Sequence, residues 1–255
     1  MSTVAERLHT VWSAVADTLF PQACFGCRAV LFGPKAAWCE ACAAAMGEAI
    51  GVLYCPMCGR DAGPYEVVDG RCGRCSLDRF AHDGLVRIAS YTGLVRSLIR
   101  QYKFAGQQRL DKALGGYLAA RVEGTSWRGE LDAIVPVPSH WTVRCRRGFF
   151  STGALACAAA RALGLPVENL LSRPRRGRSQ IGLSATDRRA NVRGMFALRR
   201  RARVQGRTFC LVDDVMVTGA TIQENVRVLK KAGARAVYVA ILAKADSTNA
   251  AMIDV

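Results

Sequence analysis

The sequence lacks any long uninterrupted apolar segment. No run of about 18 uncharged apolar residues occurs in the 255 residues, so a membrane-spanning helix is not expected. The first twenty residues also lack the apolar centre of a signal peptide, because Glu6 and Asp17 interrupt them. Leu8, Val11 and Trp12 instead follow a helical period, which predicts an amphipathic helix over residues 1–19. We therefore expect a cytoplasmic protein.

Acidic residues are scarce relative to basic ones. The chain has 20 Asp and Glu against 36 Lys and Arg, which gives a formal net charge of +16. Such a balance favours polyanionic partners, either nucleic acid or a diphosphorylated substrate. A basic surface that serves only solubility is the alternative.

Cysteine is abundant, and its spacing indicates metal binding. Two cysteines two residues apart can bind one metal from a tight turn, and a tetrahedral zinc site needs two such turns. A reduced compartment disfavours disulfides, iron–sulfur ligation is the other alternative, and the regular spacing favours two structural zinc ions. Pairing of consecutive turns closes shorter loops than a crossed arrangement and is favoured. We predict a double zinc ribbon over residues 20–80, with the ligands Cys24, Cys27, Cys39, Cys42, Cys55, Cys58, Cys72 and Cys75.

Alternating strand and helix patterns follow over residues 81–246. Strand–helix alternation predicts a mostly parallel sheet flanked by helices, with ligands bound beyond the carboxyl ends of the strands. Residues 247–255 are expected to form a short tail. Strands are predicted at 84–91, 131–137, 167–171, 195–198, 209–212 and 236–243, and helices at 94–102, 110–122, 153–163 and 221–232.

One strand–loop–helix junction carries the pattern of a ribose 5-phosphate site. Its apolar strand is expected to end in Asp213 and Asp214, whose carboxylates can accept hydrogen bonds from vicinal sugar hydroxyls. Thr218, Gly219 and Thr221 follow at the start of a helix, where backbone N–H groups and the helix dipole favour a phosphate. A buried strand with a chance acidic turn is the alternative. The stretch resembles the phosphoribosyl diphosphate (PRPP) motif of the type I phosphoribosyltransferases.

Two basic segments could serve this site or bind nucleic acid. The first, residues 135–150, contains three arginines among aromatic residues, which suits a pyrophosphate or stacked single-stranded DNA, unless it is a solvated loop. His140 could donate to a phosphate, although a structural role is more common for a lone histidine. The second segment, residues 173–207, holds twelve arginines and one acid, which predicts a mobile loop over the ligand or a contact with nucleic-acid backbone. Cys157 and Cys210 are expected in the core, and Cys145 has no evident partner base.

The order of the motifs identifies a family resemblance. The chain is similar to the ComF family of competence-associated, phosphoribosyltransferase-like proteins from about residue 19 to residue 244. The motifs that carry the resemblance are the cysteine pairs, Tyr91 to Phe104, Val135-Pro136-Val137-Pro138, Arg147-Gly148-Phe149, Gln180 with Leu183, Arg189 with Asn191 and Val192, and the PRPP motif.

The resemblance implies a type I phosphoribosyltransferase fold after a zinc-binding region, PRPP with Mg²⁺ held mainly by the PRPP oxygens, and a link to natural transformation and single-stranded DNA. The implied PRPP-binding residues are Asp213, Asp214, Val215, Met216, Val217, Thr218, Gly219, Ala220 and Thr221. The implied pyrophosphate or basic loop contains Pro136, Val137, Pro138, His140, Arg144, Arg146 and Arg147. The implied mobile or nucleic-acid loop contains Arg175, Arg176, Arg178, Gln180, Arg188 and Arg189.

The sequence departs from the family pattern at three positions. Phe150 and Ser151 stand where the family usually has Asn and Gln, and Val217 stands where the loop commonly has Thr. Valine cannot handle the proton of a base, as the aspartate at this position does in hypoxanthine–guanine salvage enzymes. The chain also has no glutaminase domain or N-terminal nucleophilic cysteine, which argues against a complete amidophosphoribosyltransferase.

Three functions fit these features, and the sequence identifies no acceptor substrate. The first is a PRPP-binding protein of the ComF type that acts in DNA uptake, with phosphoribosyl transfer to an unidentified acceptor. The second is a non-catalytic single-stranded DNA-binding protein that PRPP regulates. The third is an adaptor that binds a partner protein through its zinc ribbon.

Overall fold

The computed structural model describes residues 22–31, 37–104, 108–140, 142, 145, 148–174 and 192–246. They belong to two compact units, Met1–Glu48 and Ala49–Val255. The helix predicted over residues 1–19 and the tail over 247–255 lie outside the described residues. None of the helices in the described part of the chain combines the length and apolar character that crossing a bilayer requires.

The first unit contains a small hairpin and the start of a helix. Strands β1 (Gln22–Ala23) and β2 (Val30–Leu31) pair antiparallel, and helix α1 (Glu40–Gly51) follows. Phe25 and Trp38 meet edge to face with ring centroids 5.7 Å apart. This packing lies beside the first two cysteine pairs, which occupy the hairpin turn and the start of α1.

The second unit is built on a parallel sheet of four strands. They are β5 (Gly84–Ser90), β6 (Ala133–Pro136), β9 (Thr208–Met216) and β10 (Ala236–Lys244), in the order β5-β10-β9-β6. Because helices cover both faces of the sheet, its strands are almost continuously buried, as parallel strands usually are. The predicted mostly parallel sheet is confirmed.

Four helices flank this sheet. They are α2 (Gly93–Phe104), α3 (Gln108–Glu123), α4 (Ser151–Leu163) and α5 (Ala220–Lys231), with a 3-10 turn at Arg128–Glu130. Ile222, Val226 and Leu229 of α5 pack on the sheet face that carries Leu211 and Val239. Helices α3 and α4 pack against each other and against the sheet.

Two further antiparallel pairs complete the second unit. Strands β3 (Val67–Val68) and β4 (Arg71–Cys72) form a hairpin, and β7 (Leu171–Ser172) pairs with β8 (Ala197–Leu198). Val167 forms only an isolated bridge with Ile134, so the strand predicted over 167–171 begins later than expected.

Two sequence predictions are wrong, and one of them concerns the site. The strand predicted over 209–212 continues to Met216, because β10 pairs with it as far as Lys244. Asp213 and Asp214 therefore lie inside β9 and not after it. Cys157 is exposed on α4 and does not belong to the core, whereas Cys210 is buried as predicted.

Adjacent glycines on α3 provide a direct test of the α3–α4 packing. A Cβ at Gly115 would lie 2.4 Å from Ala158 Cβ, whereas a Cβ at Gly116 would meet nothing within 4 Å. We expect Gly115→Ala to destabilise the protein by roughly 1–3 kcal/mol. Gly116→Ala should stabilise it by up to about 1 kcal/mol through helix propensity. Urea unfolding of the two variants measures this contrast, and equal effects would contradict the packing.

Candidate functional site

The two aspartates of β9 lie at the carboxyl edge of the sheet and are nearly buried. Residue exposure is 9% for Asp213 and 8% for Asp214. Their backbones pair with the central strand β10, where Asp213 is in register with Ile241. Asp214 Oδ1 lies 3.0 Å from Lys103 Nζ, which comes from the last turn of α2. The site thus contains one carboxylate with a cationic partner, Asp214, and one, Asp213, that forms no ion pair among the described side chains.

Burial alters the chemistry of Asp213, the carboxylate without an ion pair. Burial, and then the neighbouring charge of Asp214, raise the pKa of Asp213 to about 7, although Lys103 and Arg173 act in the opposite direction. Asp213 therefore changes its protonation state near neutral pH. As a carboxylate it offers hydrogen-bond acceptors, and a ligand with hydroxyl donors would favour that form.

The loop after β9 carries the backbone geometry of an anion site. Gly219 adopts φ 76°, the left-handed conformation that glycine tolerates best, immediately before α5. The N–H of Ala220 points to Thr218 Oγ1 at 3.4 Å, and Gln223 N donates to Gly219 O at 2.8 Å. The N-terminus of the twelve-residue helix α5 follows directly. Its first N–H groups and its dipole favour a negatively charged group here.

A buried lysine supports this loop from β10. Lys244 Nζ donates to Val217 O and to Ala245 O, each at 2.6 Å. Burial, followed by the charge of Arg60, lowers the pKa of Lys244 to about 8. Lys244 thus fixes the carbonyl of Val217 and orients the peptide that leads to Gly219.

A second loop leaves the sheet beside the aspartates. Pro136 is in register with Val212, and Val137 N donates to Val212 O at 2.9 Å. Thr152 at the start of α4 donates to Val137 O at 2.8 Å. His140 is buried, with Nδ1 2.8 Å from Thr142 Oγ1, so this ring nitrogen is already hydrogen-bonded within the loop. The sheet therefore brings the predicted residues Pro136–Pro138 next to Asp213 and Asp214.

A cavity of about 310 Å³ opens beside this second loop. Pro136, Ser139, Arg173 and Arg199 contribute to its wall. The remaining residues predicted for the two basic segments lie outside the described residues, namely Arg144, Arg146, Arg147, Arg175, Arg176, Arg178, Gln180, Arg188 and Arg189. Their roles stay predictions.

The eight predicted metal ligands form two groups of four. Cys24, Cys27, Cys39 and Cys42 make one group, and Cys55, Cys58, Cys72 and Cys75 make the other, with all Sγ atoms of a group within 4.8 Å of one another. This confirms the pairing of consecutive turns.

The sulfur spacing in both groups fits zinc. Neighbouring sulfurs are 3.6 Å apart in Cys27–Cys39, Cys55–Cys75 and Cys58–Cys72. A zinc–sulfur bond of about 2.3 Å in tetrahedral geometry places sulfurs roughly 3.8 Å apart, whereas a disulfide needs about 2.05 Å. The N–H of Cys72 points to Cys55 Sγ at 3.3 Å, as Cys39 N does to Cys24 Sγ at 3.3 Å, which favours thiolates. Both groups can thus hold a structural zinc ion.

The second group of cysteines belongs to the same compact unit as the sheet. We call residues 54–80 the second cysteine module. Leu85 N donates to Pro56 O at 2.7 Å, and His82 Nε2 lies 2.9 Å from Met57 O. The buried Arg87 pairs with Asp61 and donates to Gly59 O at 2.7 Å. The sheet and α5 are thereby joined to the module, since Gln223 also hydrogen-bonds His82 at 2.7 Å.

Sequence reasoning missed three of these supporting residues. Lys103 stands in a motif that suggested no partner, and its contact with Asp214 depends on the fold. Arg87 and Lys244 are charged residues inside otherwise apolar strands, and this anomaly was the available signal.

Two family models match the chain. A double zinc ribbon domain matches residues 15–76, and a phosphoribosyl transferase domain matches residues 153–252. The first includes both cysteine groups, and the second includes Asp213, Asp214 and the loop up to α5.

Curated relatives match almost the whole chain. Competence protein F of Haemophilus influenzae is 32% identical over 227 residues, which cover 87% of this chain and 96% of the relative. DNA utilization protein YhgH of Escherichia coli K12 is 32% identical over 227 residues, which cover 86% of this chain and 95% of the relative. Among solved structures, the glutamine PRPP amidotransferase of B. subtilis has a TM-score of 0.38 and 26% identity, over 55% of this chain and 30% of that chain.

Proposed function

The chain belongs to the family of competence protein F and DNA utilization protein YhgH, and from this membership we propose that it is a cytoplasmic PRPP-binding protein that acts in DNA uptake. The observation that carries the proposal is the junction of β9 and α5. There, two nearly buried carboxylates precede a left-handed glycine and a helix N-terminus. The names of the relatives support the role in DNA handling.

In this proposal each part of PRPP has a partner. The carboxylates of Asp213 and Asp214 accept hydrogen bonds from the ribose hydroxyls, and the residues from Val215 to Thr221 surround the 5-phosphate. Pro136–His140 border the pyrophosphate, and Mg²⁺ arrives with the PRPP oxygens. If the ligand reacts, a positive charge develops on the ribose as pyrophosphate leaves, and Mg²⁺ with nearby cations would stabilise the departing group.

Calorimetric titration of Mg²⁺–PRPP into the full-length protein tests the proposal. We expect saturable binding with one PRPP per chain. The same titration in the presence of single-stranded DNA tests whether the two ligands are coupled, since linkage between sites is reciprocal. An absence of PRPP binding in protein that retains its zinc would overturn the PRPP site and leave DNA binding as the leading function.

A further inference from the structure

A second, larger cavity lies beside the loop that connects β9 to α5. Its volume is about 960 Å³, which is within the range of small-molecule sites. Thr218 and Gly219 contribute one wall, and Arg60, Arg74, Arg79 and Phe80 of the second cysteine module contribute another. Asp213 and Asp214 are not among the lining residues. The cavity therefore shares the loop with the ribose 5-phosphate site but not its carboxylates.

The module wall of this cavity carries an excess of positive charge, with Arg60, Arg74 and Arg79 against Asp78. Within the described part of the chain, no ion pair involves Arg60, Arg74 or Arg79. Three carboxylates also line the cavity, Asp78, Glu224 and Asp246, and of these Glu224 is already engaged, since it accepts from Gly194 N at 2.8 Å and lies 3.4 Å from Arg227. Three arginines that form no ion pair among the described residues thus line the cavity.

We propose that this cavity binds a nucleoside polyphosphate at a site separate from the ribose 5-phosphate site. The three arginines contact the phosphates. Phe80 provides an aromatic surface for the base, and the volume accommodates a whole nucleotide. Because both sites contact the same loop, ligands at the two sites alter each other's affinity.

The test uses ADP as the probe, titrated into full-length, zinc-loaded protein in excess ribose 5-phosphate. We expect the variant Arg60→Gln/Arg74→Gln/Arg79→Gln to bind ADP at least about tenfold more weakly, because three charged phosphate contacts are lost. The matched control Lys112→Gln/Arg161→Gln/Lys231→Gln removes the same charge from exposed positions that do not line the cavity and should bind ADP as wild type does.

Further arms separate this proposal from the PRPP proposal. The variant Asp213→Asn/Asp214→Asn should retain ADP binding even if it loses PRPP. Loss of ADP binding in that variant would place ADP in the ribose site and overturn the second site. If pyrophosphate bound as tightly as ADP, the nucleoside would contribute nothing to binding, and the proposal of a nucleotide ligand would be overturned.

The arginines have one competing role, because Cys58 also lines the cavity. They could serve only to balance the negative charge of the zinc thiolates. In that case the triple arginine variant would lose zinc from the second group while the ADP affinity of the zinc-loaded fraction stayed unchanged. Metal analysis alongside the titration distinguishes the two roles, and that result would overturn the proposal.

Discussion

PRPP affinity is expected to fall at least about 100-fold in the variant Asp213→Asn/Asp214→Asn. Each charged acceptor that is lost contributes roughly 1.5–3 kcal/mol, and two such losses exceed a factor of 100 in affinity. Calorimetric titration measures the change. The control Asp69→Asn/Asp111→Asn removes the same charge elsewhere and should bind PRPP normally. Wild-type affinity in the Asp213 and Asp214 variant would show that the carboxylates do not contact the ligand.

The pKa of Asp213 adds a pH dependence to this prediction. Because burial raises that pKa to about 7, wild-type PRPP affinity should increase as the pH rises from 6 to 8 and Asp213 ionises. The single variant Asp213→Asn cannot ionise at this position, so its affinity should be low and should lack that increase. PRPP also changes its own protonation state over this pH range, and this effect cancels when the two proteins are compared because both bind the same ligand.

The same pKa predicts the opposite effect on stability. Between about pH 4 and pH 7, native Asp213 keeps a proton that the unfolded chain has released, so its contribution to stability decreases as the pH rises. Above pH 7 the native state holds a buried carboxylate. Asp213→Asn should therefore be more stable than wild type at pH 8, by on the order of 2 kcal/mol, and the difference should shrink towards pH 4. Urea unfolding at both pH values measures this, and the binding and stability results together would indicate a carboxylate kept for function.

The sequence was sufficient to predict where the candidate site lies in the chain, but it did not predict the local structure of that site. Two acids and a Thr-Gly loop between an apolar strand and a helix locate the candidate anion site. Charged residues usually end a buried strand, so Asp213 and Asp214 were predicted to lie where this strand ends. The pairing of β10 with β9 as far as Met216 keeps both acids in the sheet, and only this tertiary context explains the raised pKa of Asp213.

Two other features depended on packing that sequence patterns do not specify. Helix α4 is rich in alanine, with little contrast between its faces, so the exposure of Cys157 could not be read from periodicity. The cysteine spacing, in contrast, is a local constraint. It correctly predicted two groups of four ligands, but not that the second group lies in the same compact unit as the sheet.

Loss of zinc from the second cysteine module should have a large effect on the α/β unit. The buried core of this module consists of Cys55, Cys58, Cys72 and Cys75 with Ala62, so without metal little remains to order it. Arg87 would then lose its contacts with Gly59 and Asp61 while it stays buried in β5. We expect Cys72→Ser to bind one zinc ion fewer and to unfold roughly 10 °C or more below wild type.

Two cysteine variants control for this zinc prediction. Cys157→Ser changes an exposed cysteine outside both groups and should keep both zinc ions and the wild-type unfolding temperature. Cys39→Ser should also remove one zinc ion, but from the other compact unit, so the unfolding transition of the sheet should stay close to wild type. Zinc analysis and differential scanning calorimetry measure both quantities. If Cys72→Ser lost its zinc yet unfolded at the wild-type temperature, the contacts of Arg87 and His82 with the module would not stabilise the sheet, and the module would be an independent appendage.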